Sequence, residues 1–86
     1  MLFGRVLDAT GSVVVGATVV VRNADTGVAL SFRTNERGYY EANLLLPGNY
    51  EISAEMDGFK KLVRRGVTLP VASRIEITLP LEVGGV

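Results

Sequence analysis

The chain has 86 residues, in which nine Lys and Arg balance nine Asp and Glu, and it contains no His, Cys or Trp. This length corresponds to one domain, near the small end of chains that fold alone. A hydrophobic share of 48% against 21% charged residues is typical of a globular core and not of a disordered chain. Zero net charge argues against capture of nucleic acid. Without His and Cys, Ser-His-Asp and Cys-His catalysis and Cys/His zinc sites are excluded.

The ends of the chain bear on its cellular context. No apolar run approaches the roughly 20 residues of a membrane helix, so we predict no direct membrane insertion by this segment. A basic start followed by an apolar stretch, the mark of a signal peptide, is not present either. A strand-like segment runs into Gly84 and Gly85. We therefore predict a domain over residues 1–83, with residues 84–86 beginning a linker to a further region.

The first half of the chain alternates apolar and polar residues with the period of a β-strand. Strands are predicted over residues 2–7, 17–22 and 28–34. Between them, residues 8–12 and 23–27 combine Asp, Asn, Thr and Gly, which is the chemistry of tight turns.

The second half continues the same pattern. Strands are predicted over residues 39–43, 50–55, 59–64 and 74–83, with a Pro-Gly turn at residues 47–48. No window has helical spacing with caps, and β-branched residues are frequent throughout. Seven short strands separated by turns predict an all-β domain, either a β-sandwich or a small barrel.

The alternation also predicts which apolar side chains point inward. The predicted inner face of the first two strands holds Leu2, Val6, Val19 and Val21. Phe3, Leu7, Val14 and Val20 would then point outward. Outward apolar residues that cluster mark a contact surface, so this set is a candidate protein interface.

A spaced set of small residues, Pro and Tyr goes beyond general β patterning. Its members are Gly4, Asp8, Gly11, Gly16, Ala17, Gly38, Tyr40, Pro47, Gly48, Tyr50 and Gly58. The glycines suit turns and close backbone approaches. Tyr40 and Tyr50 are predicted on the inner faces of neighbouring strands, and the Tyr50 hydroxyl is expected to reach a backbone partner, as in a tyrosine corner. The set is therefore interpreted as a structural motif, not a binding site.

The ordered set resembles the carboxypeptidase regulatory-like domain family over nearly the whole chain. The resemblance implies a seven-stranded antiparallel β-sandwich of transthyretin-like (prealbumin-like) topology. It also implies an accessory, non-catalytic role, since members are attached to zinc carboxypeptidases, bacterial surface proteins and TonB-dependent outer-membrane receptors. Residues 2–6 and 79–84 resemble the receptor-associated subset, in which the domain lies in the periplasm, N-terminal to the plug. A secreted location is the alternative.

The partner that this resemblance implies is a protein or another domain of the parent chain. The alternative functions are a carbohydrate- or surface-binding module, for which Tyr39 is the exposed aromatic candidate, and a folding-support module of a zinc carboxypeptidase. A related transthyretin-like hydrolase needs His, which is absent. Related adhesin domains cross-link a Lys of the first strand to an Asn of the last, but this chain has Arg5 in the first and no Asn in residues 74–83.

The charged residues offer few sharper candidates. Lys60, Lys61, Arg64 and Arg65 form the one local basic run. They are either an interaction surface for an anionic partner or a charged edge strand that resists pairing with other sheets. The second interpretation is favoured, because acids elsewhere in the chain balance these charges.

The remaining acids and loop oxygens are predicted to have no catalytic or metal-binding role. Glu41, Glu51 and Glu55 could suggest paired carboxylates, but the parity of Glu51 and Glu55 places them outward in solvent. Loop oxygens at Asp8, Asn23, Asp25 and Asp57 could ligate Ca²⁺, yet they lack a dense Asp-rich spacing and are explained as turn residues. We predict no catalytic residue, no metal and no cofactor.

Overall fold

The computed structural model describes residues 1–43 and 45–84, a part of the chain that contains strands and no helix. The strands are β1 (Leu2–Leu7), β2 (Thr18–Asn23), β3 (Ala29–Arg33), β4 (Tyr39–Ala42), β5 (Gly48–Glu55), β6 (Leu62–Leu69), β7 (Ile75–Glu76) and β8 (Leu79–Pro80). The all-β prediction is confirmed. Eight strands replace the expected seven because the predicted last strand is divided into β7 and β8. Within these residues no helix is long and apolar enough to span a membrane.

The strands form two sheets. In the first, β1 pairs antiparallel with β4 and parallel with both β7 and β8. The second is antiparallel throughout, in the order β3-β2-β5-β6. Leu2 pairs with Ile75, and Val6 pairs with Leu79. The register is the same in both pairs, so the gap between β7 and β8 is a local bend and not a slip of the strand.

The core lies between the two sheets, where strand alternation directs apolar side chains from both inner faces. The predicted inner-face residues Leu2, Val6, Val19 and Val21 are all at most 1% exposed, which confirms that prediction. The prediction that Val14 points outward is wrong, because Val14 is 6% exposed and belongs to the core. The Val14 amide donates to the Val6 carbonyl, which turns the Val14 side chain inward outside any regular strand.

The region around β6 differs from the expected strand over residues 59–64. The Phe59 backbone pairs with Val83, and the Lys60 amide donates to the Glu82 carbonyl at 2.8 Å. These two residues therefore join the C-terminal segment, and β6 begins at Leu62. A register shift between Tyr50 and Ile52 then introduces a β-bulge into the β5–β6 pair.

The C-terminal segment is attached to the domain as far as the structure describes it. The Gly84 amide donates to the Gly58 carbonyl at 2.9 Å, so Gly84 belongs to the folded domain rather than to the predicted linker. Residues 85 and 86, the rest of that predicted linker, lie outside the described residues.

Candidate functional site: surfaces for interaction

The first part of the structural motif, Gly4 and Tyr40, lies where β4 contacts the segment that follows β7. The Tyr40 hydroxyl donates to the Ile77 carbonyl at 2.6 Å, and Tyr40 is 1% exposed. Gly4 lies under this contact, and a Cβ atom there would be 1.9 Å from the Ile77 oxygen. Only a residue without a side chain fits. Burial raises the pKa of Tyr40, so the hydroxyl remains a donor. Tyr40 is thus a packing residue and not a catalytic acid.

The second part of the motif forms a corner at the start of β5. The Tyr50 hydroxyl donates to the Leu46 carbonyl at 2.5 Å, across the Pro47-Gly48 turn. Tyr50 is 4% exposed. The expected tyrosine corner is therefore confirmed, although Tyr40 and Tyr50 lie in facing sheets and not on adjacent strands.

The loop residues of the motif hold turns. Asp8 Oδ1 accepts hydrogen bonds from the Thr10 hydroxyl at 2.6 Å, the Thr10 amide at 2.9 Å and the Ser12 amide at 3.0 Å. The hydroxyl bond from Thr10 is the main cause that lowers the pKa of Asp8. Gly38 has φ +68°, and a Cβ there would meet the Val13 side chain at 2.7 Å. Gly11, Gly16 and Gly58 also lie in turns.

Thr34 is a structural part of this frame whose hydrogen-bonding role was not predicted from the sequence. Its buried hydroxyl accepts from the Ala17 amide at 2.8 Å and donates to the Val14 carbonyl at 2.7 Å. It thereby secures the segment that brings Val14 into the core. The available signal was the spacing of Thr34 four residues before Gly38.

Two of the four candidate calcium ligands, Asp8 and Asn23, form local hydrogen bonds through their side-chain oxygens. Asn23 Oδ1 accepts from the amides of Asp25 at 2.8 Å and Thr26 at 3.1 Å, which closes the β2–β3 hairpin. Across residues 1–43 and 45–84, no three acidic side chains converge in a way that could hold a metal ion. The side chains of Asp8 and Asn23 stabilise turns, and Asp25 and Asp57 lie in turns, as the turn interpretation expects.

The basic run is largely charge-balanced. Lys61 lies 3.1 Å from Glu55, Arg65 lies 3.4 Å from Glu51, and Lys60 lies 3.9 Å from Glu82. Arg64 has no salt bridge within the described part of the chain. Solvent-exposed pairs of this kind contribute little to stability, but they neutralise a surface that an anionic partner would need. This geometry favours the charged-edge interpretation, and the interaction surface at these residues stays a prediction.

The acidic candidates do not converge on a common site. Glu51 and Glu55 lie on β5 in the second sheet, each beside a cation. Glu41 lies on β4 in the first sheet, where it accepts hydrogen bonds from the Tyr39 hydroxyl at 3.1 Å and from Asn43 at 2.7 Å. Within the described part of the chain, Glu41 therefore lies apart from Glu51 and Glu55 and forms no carboxylate pair with them.

An aromatic patch covers part of the outer face of the first sheet. The rings of Phe3 and Tyr39 are 6.3 Å apart and tilted by 43°. The Arg74 guanidinium lies 5.4 Å from the centre of the Phe3 ring, a cation–π distance. Desolvation, followed by the hydrogen bond to Glu41, raises the pKa of Tyr39. Of the two rings, Tyr39 is the one without a cation over it.

Two clefts open at opposite ends of the β2–β3 pair. A polar cleft of about 570 Å³ lies between Arg33, Glu55, Asp57 and Lys61. An apolar cleft of about 260 Å³ lies at the other end, with Val28, Leu30, Leu45, Leu46 and Tyr50 among its walls. The apolar cleft was not predicted, because its walls come from segments that are distant in the sequence.

The fold and the motif together define a transthyretin-like β-sandwich in which the Gly and Tyr residues of the motif contribute to packing. The profile of the carboxypeptidase regulatory-like domain matches residues 1–82. The chain therefore belongs to the carboxypeptidase regulatory-like domain family, as the sequence motif indicated. A search of the curated proteins finds no match.

Solved structures share this fold at low sequence identity. A Bacteroides uniformis protein with a proposed carbohydrate-binding role has a TM-score of 0.73 and 19% identity over 93% of this chain. The 5-hydroxyisourate hydrolase of Klebsiella pneumoniae has a TM-score of 0.70 and 23% identity over 98% of this chain and 91% of its own. A type II cohesin–X-dockerin complex from Acetivibrio cellulolyticus has a TM-score of 0.69 and 16% identity, over 93% of this chain and 55% of the other.

These similarities show the fold. The chain spans 40% of the Bacteroides protein and 16% of the TIE protein of Bacillus anthracis, another structural match. A domain of this kind is a module of a larger chain. The family is non-catalytic, although enzymes such as the Klebsiella hydrolase use the same fold.

Proposed function

We propose that this domain is a non-catalytic protein-interaction module, the periplasmic N-terminal extension of a TonB-dependent outer-membrane receptor. Family membership over residues 1–82 is the observation that carries the proposal. The resemblance of residues 2–6 and 79–84 to the receptor-associated subset supports the location.

The use of the side chains supports an accessory role. Tyr40, Tyr50 and Gly4 are committed to packing, and three cations of the basic run lie in ion pairs. The cohesin–X-dockerin neighbour is a protein complex, so the fold is compatible with protein recognition. We propose that the domain holds the receptor plug at a distance from periplasmic proteins or binds one of them.

The test of the receptor assignment is the coding sequence that follows Val86. A long series of alternating apolar segments with aromatic girdles would support it. A peptidase domain with His and Glu metal ligands would make this a folding-support module of a zinc carboxypeptidase, and a stop codon would leave a free-standing binding module. Either of these outcomes overturns the receptor proposal.

The non-catalytic assignment has its own test. The purified domain is incubated with peptide, glycan and ester substrates, and product is compared with a protein-free blank. No rate above the blank is expected, because Lys61 and Glu55 in the polar cleft pair with each other at 3.1 Å and the sequence contains no His or Cys to act as base or nucleophile. Hydrolysis that persists through repurification would contradict the assignment.

Carbohydrate binding is the second candidate, favoured by the outward Phe3–Tyr39 pair and by the proposed role of the Bacteroides neighbour. Tyr39 is half-buried and not exposed as the sequence predicted, and Glu41 and Asn43 lie beside it as hydrogen-bonding groups. Glycan-array binding that Tyr39→Ala abolishes and Tyr39→Phe retains would establish it. No binding by the unmodified domain would eliminate it.

A further inference from the structure

The four edges of the two sheets are protected to very different degrees. Natural proteins blunt sheet edges with short strands, charges, prolines and bulges, because an open edge pairs with other chains. The β4 edge has four residues, and the β7–β8 edge is broken into two short pieces with Pro80 in the second. The β6 edge carries a bulge in its pairing together with Arg64 and Arg65.

The β3 edge has almost none of these features. It has five residues, contains no Pro or Lys, and pairs with β2 in an uninterrupted register. Its one charge, Arg33, lies at its end. Ala29, Leu30 and Ser31 are exposed. Of the four edges, β3 is the one best suited to accept another strand.

Backbone N–H and C=O groups alternate in direction along β3, so those of every second residue are available to an added strand. The Val28 carbonyl accepts from the Asn23 amide, and the Thr34 amide donates to the Ala17 carbonyl. The backbone groups of the even-numbered residues in this segment therefore point toward β2. Backbone groups alternate in direction along an antiparallel strand. The N–H and C=O groups of Ala29, Ser31 and Arg33 therefore point to the open edge.

The side chains beside this edge determine which residues an added strand would favour at the positions that face the cleft. Val28 and Leu30, which are 62% and 44% exposed, face the inner side of the sheet. They form one wall of the apolar cleft, and Leu45, Leu46 and Tyr50 lie across it. A strand added to β3 would direct every second side chain into this cleft, where apolar residues are favoured.

The charges on the outer face of the sheet determine which residues an added strand would favour at the positions between its apolar residues. Arg33 lies on the outer face of β3, and Arg22 lies beside Ala29 on β2. Neither forms a salt bridge within the described part of the chain, and β3 itself has no acid. The outward positions of an added strand would therefore be complemented by a carboxylate.

We propose that the β3 edge binds an extended peptide segment of a partner protein by strand addition, with apolar residues facing the cleft and acidic or small residues between them. This inference rests on the proposed interaction function and names its site. A second copy of this chain is disfavoured, because antiparallel β3–β3 pairing would bring Arg33 close to Arg22 of the other copy.

The test uses the purified domain and three synthetic ten-residue peptides. The first has valine or leucine at alternate positions with aspartate and serine between them. The second has the same composition in shuffled order, and the third has lysine in place of aspartate. Binding is measured by calorimetry, and amide hydrogen exchange locates the contact. We expect the first peptide to bind at least tenfold more tightly than the others, with new protection at Ala29, Ser31 and Arg33.

Two variants and one control test the site. Ser31→Pro removes an outward N–H without removing a bond to β2, and Leu30→Lys places a charge in the cleft. Each is expected to weaken binding at least tenfold. Val63→Lys changes a similarly exposed aliphatic residue on the β6 edge and should leave binding unchanged. Circular dichroism checks that all three variants are folded.

Several results would overturn the proposal. They are equal binding of the alternating and shuffled peptides, protection on an edge other than β3, and binding that neither Ser31→Pro nor Leu30→Lys weakens. A dimer that Ser31→Pro dissociates and the alternating peptide does not displace would assign the edge to a second copy instead. None of these results affects the coding-sequence test, so failure at this site is distinguishable from failure of the proposed function.

Discussion

At the scale of single residues, Tyr40, Gly4 and Ile77 form one unit. The Ile77 carbonyl turns inward where β7 ends, and the Tyr40 hydroxyl is its donor at 2.6 Å. The Ile77 amide still donates to the Phe3 carbonyl at 2.8 Å, so the bend costs the sheet little pairing. Gly4 provides the space for this arrangement. One tyrosine hydroxyl thus satisfies the backbone group that the broken strand leaves free.

Tyr40→Phe removes this donor and leaves the Ile77 carbonyl without a partner in the core. We expect the free energy of unfolding to fall by about 1–3 kcal/mol, measured by urea denaturation. Tyr39→Phe is the matched control, because the Tyr39 hydroxyl bonds an exposed carboxylate. That control should change stability by less than about 0.5 kcal/mol. Equal effects of the two substitutions would contradict the role given to Tyr40.

Asp8 makes a pH-dependent contribution to stability. Its hydrogen bonds, chiefly from the Thr10 hydroxyl, lower its pKa in the folded state below the ordinary value of 3.8. The unfolded chain therefore takes up the proton first as the pH falls. The contribution is complete above that ordinary value and is lost as the pH falls through the folded-state pKa.

The measurement is the urea midpoint of the unmodified domain and of Asp8→Asn, followed from about pH 5 to about pH 2. The difference between the two midpoints should shrink with acidification. Thr10→Ala removes the hydroxyl donor and should raise the pKa of Asp8, observable by carboxyl-carbon NMR. A difference that stays constant over the range would show that the turn does not favour the ionised carboxylate.

At the scale of elements, the strands differ in how many sides are paired. β2 and β5 lie in the middle of the second sheet and pair on both sides. β3 and β6 flank them and pair on one side. β7 and β8 pair with β1 over two residues each. Local opening should therefore cost most in β2 and β5 and least in the two short C-terminal strands.

Native-state hydrogen exchange measures this ranking. We expect the amides of Val20 and Ser53 to exchange only through global unfolding, because strand alternation directs them toward each other between the two doubly paired strands. Outward amides of β3, such as that of Ser31, should exchange fastest in the second sheet. Slow exchange at Ser31 in the isolated domain would mean that this edge is already covered.

At the scale of the whole molecule, the two ends of the chain are joined. β1 holds together β4, β7 and β8, so the first sheet exists only when the start of the chain meets its last described segment. Leu79 and Leu81 from that segment are at most 1% exposed in the core. The N-terminal ammonium of Met1 also donates to the Ser73 carbonyl at 2.8 Å. The domain is therefore expected to fold as one unit.

Removal of residues 75–84 should abolish folding of the remainder. A fragment of residues 1–74 would expose one side of β1 and lose two buried leucines, more than a domain of this size tolerates. Circular dichroism and near-ultraviolet spectra of the fragment should be those of an unfolded chain. Addition of a synthetic peptide of residues 75–84 should restore the native spectrum. A fragment that folds by itself would contradict the dependence on the C-terminal strands.

Much of this protein follows from sequence-local chemistry. Period-two alternation predicts most of the strands, with β6 as an exception, and the inner positions of Leu2, Val6, Val19 and Val21, because a strand exposes successive side chains to opposite faces. The turn at Asp8 and the corner at Tyr50 are also local, since each bond joins residues at most four positions apart. The ordered Gly, Pro and Tyr residues identify the family.

Other features depend on contacts between distant segments, which alternation does not specify. Val14 enters the core because it pairs with Val6 and is held by Thr34, and the last strand divides where Ile77 turns to Tyr40. Three cations of the basic run, Lys60, Lys61 and Arg65, are paired with acids on β5 and at Glu82. The open β3 edge and its apolar cleft likewise arise from sheet order. The sequence by itself determined the class of fold and its local turns. The tertiary structure decided which edges, charges and apolar residues remain available to a partner, because those depend on what each strand lies beside.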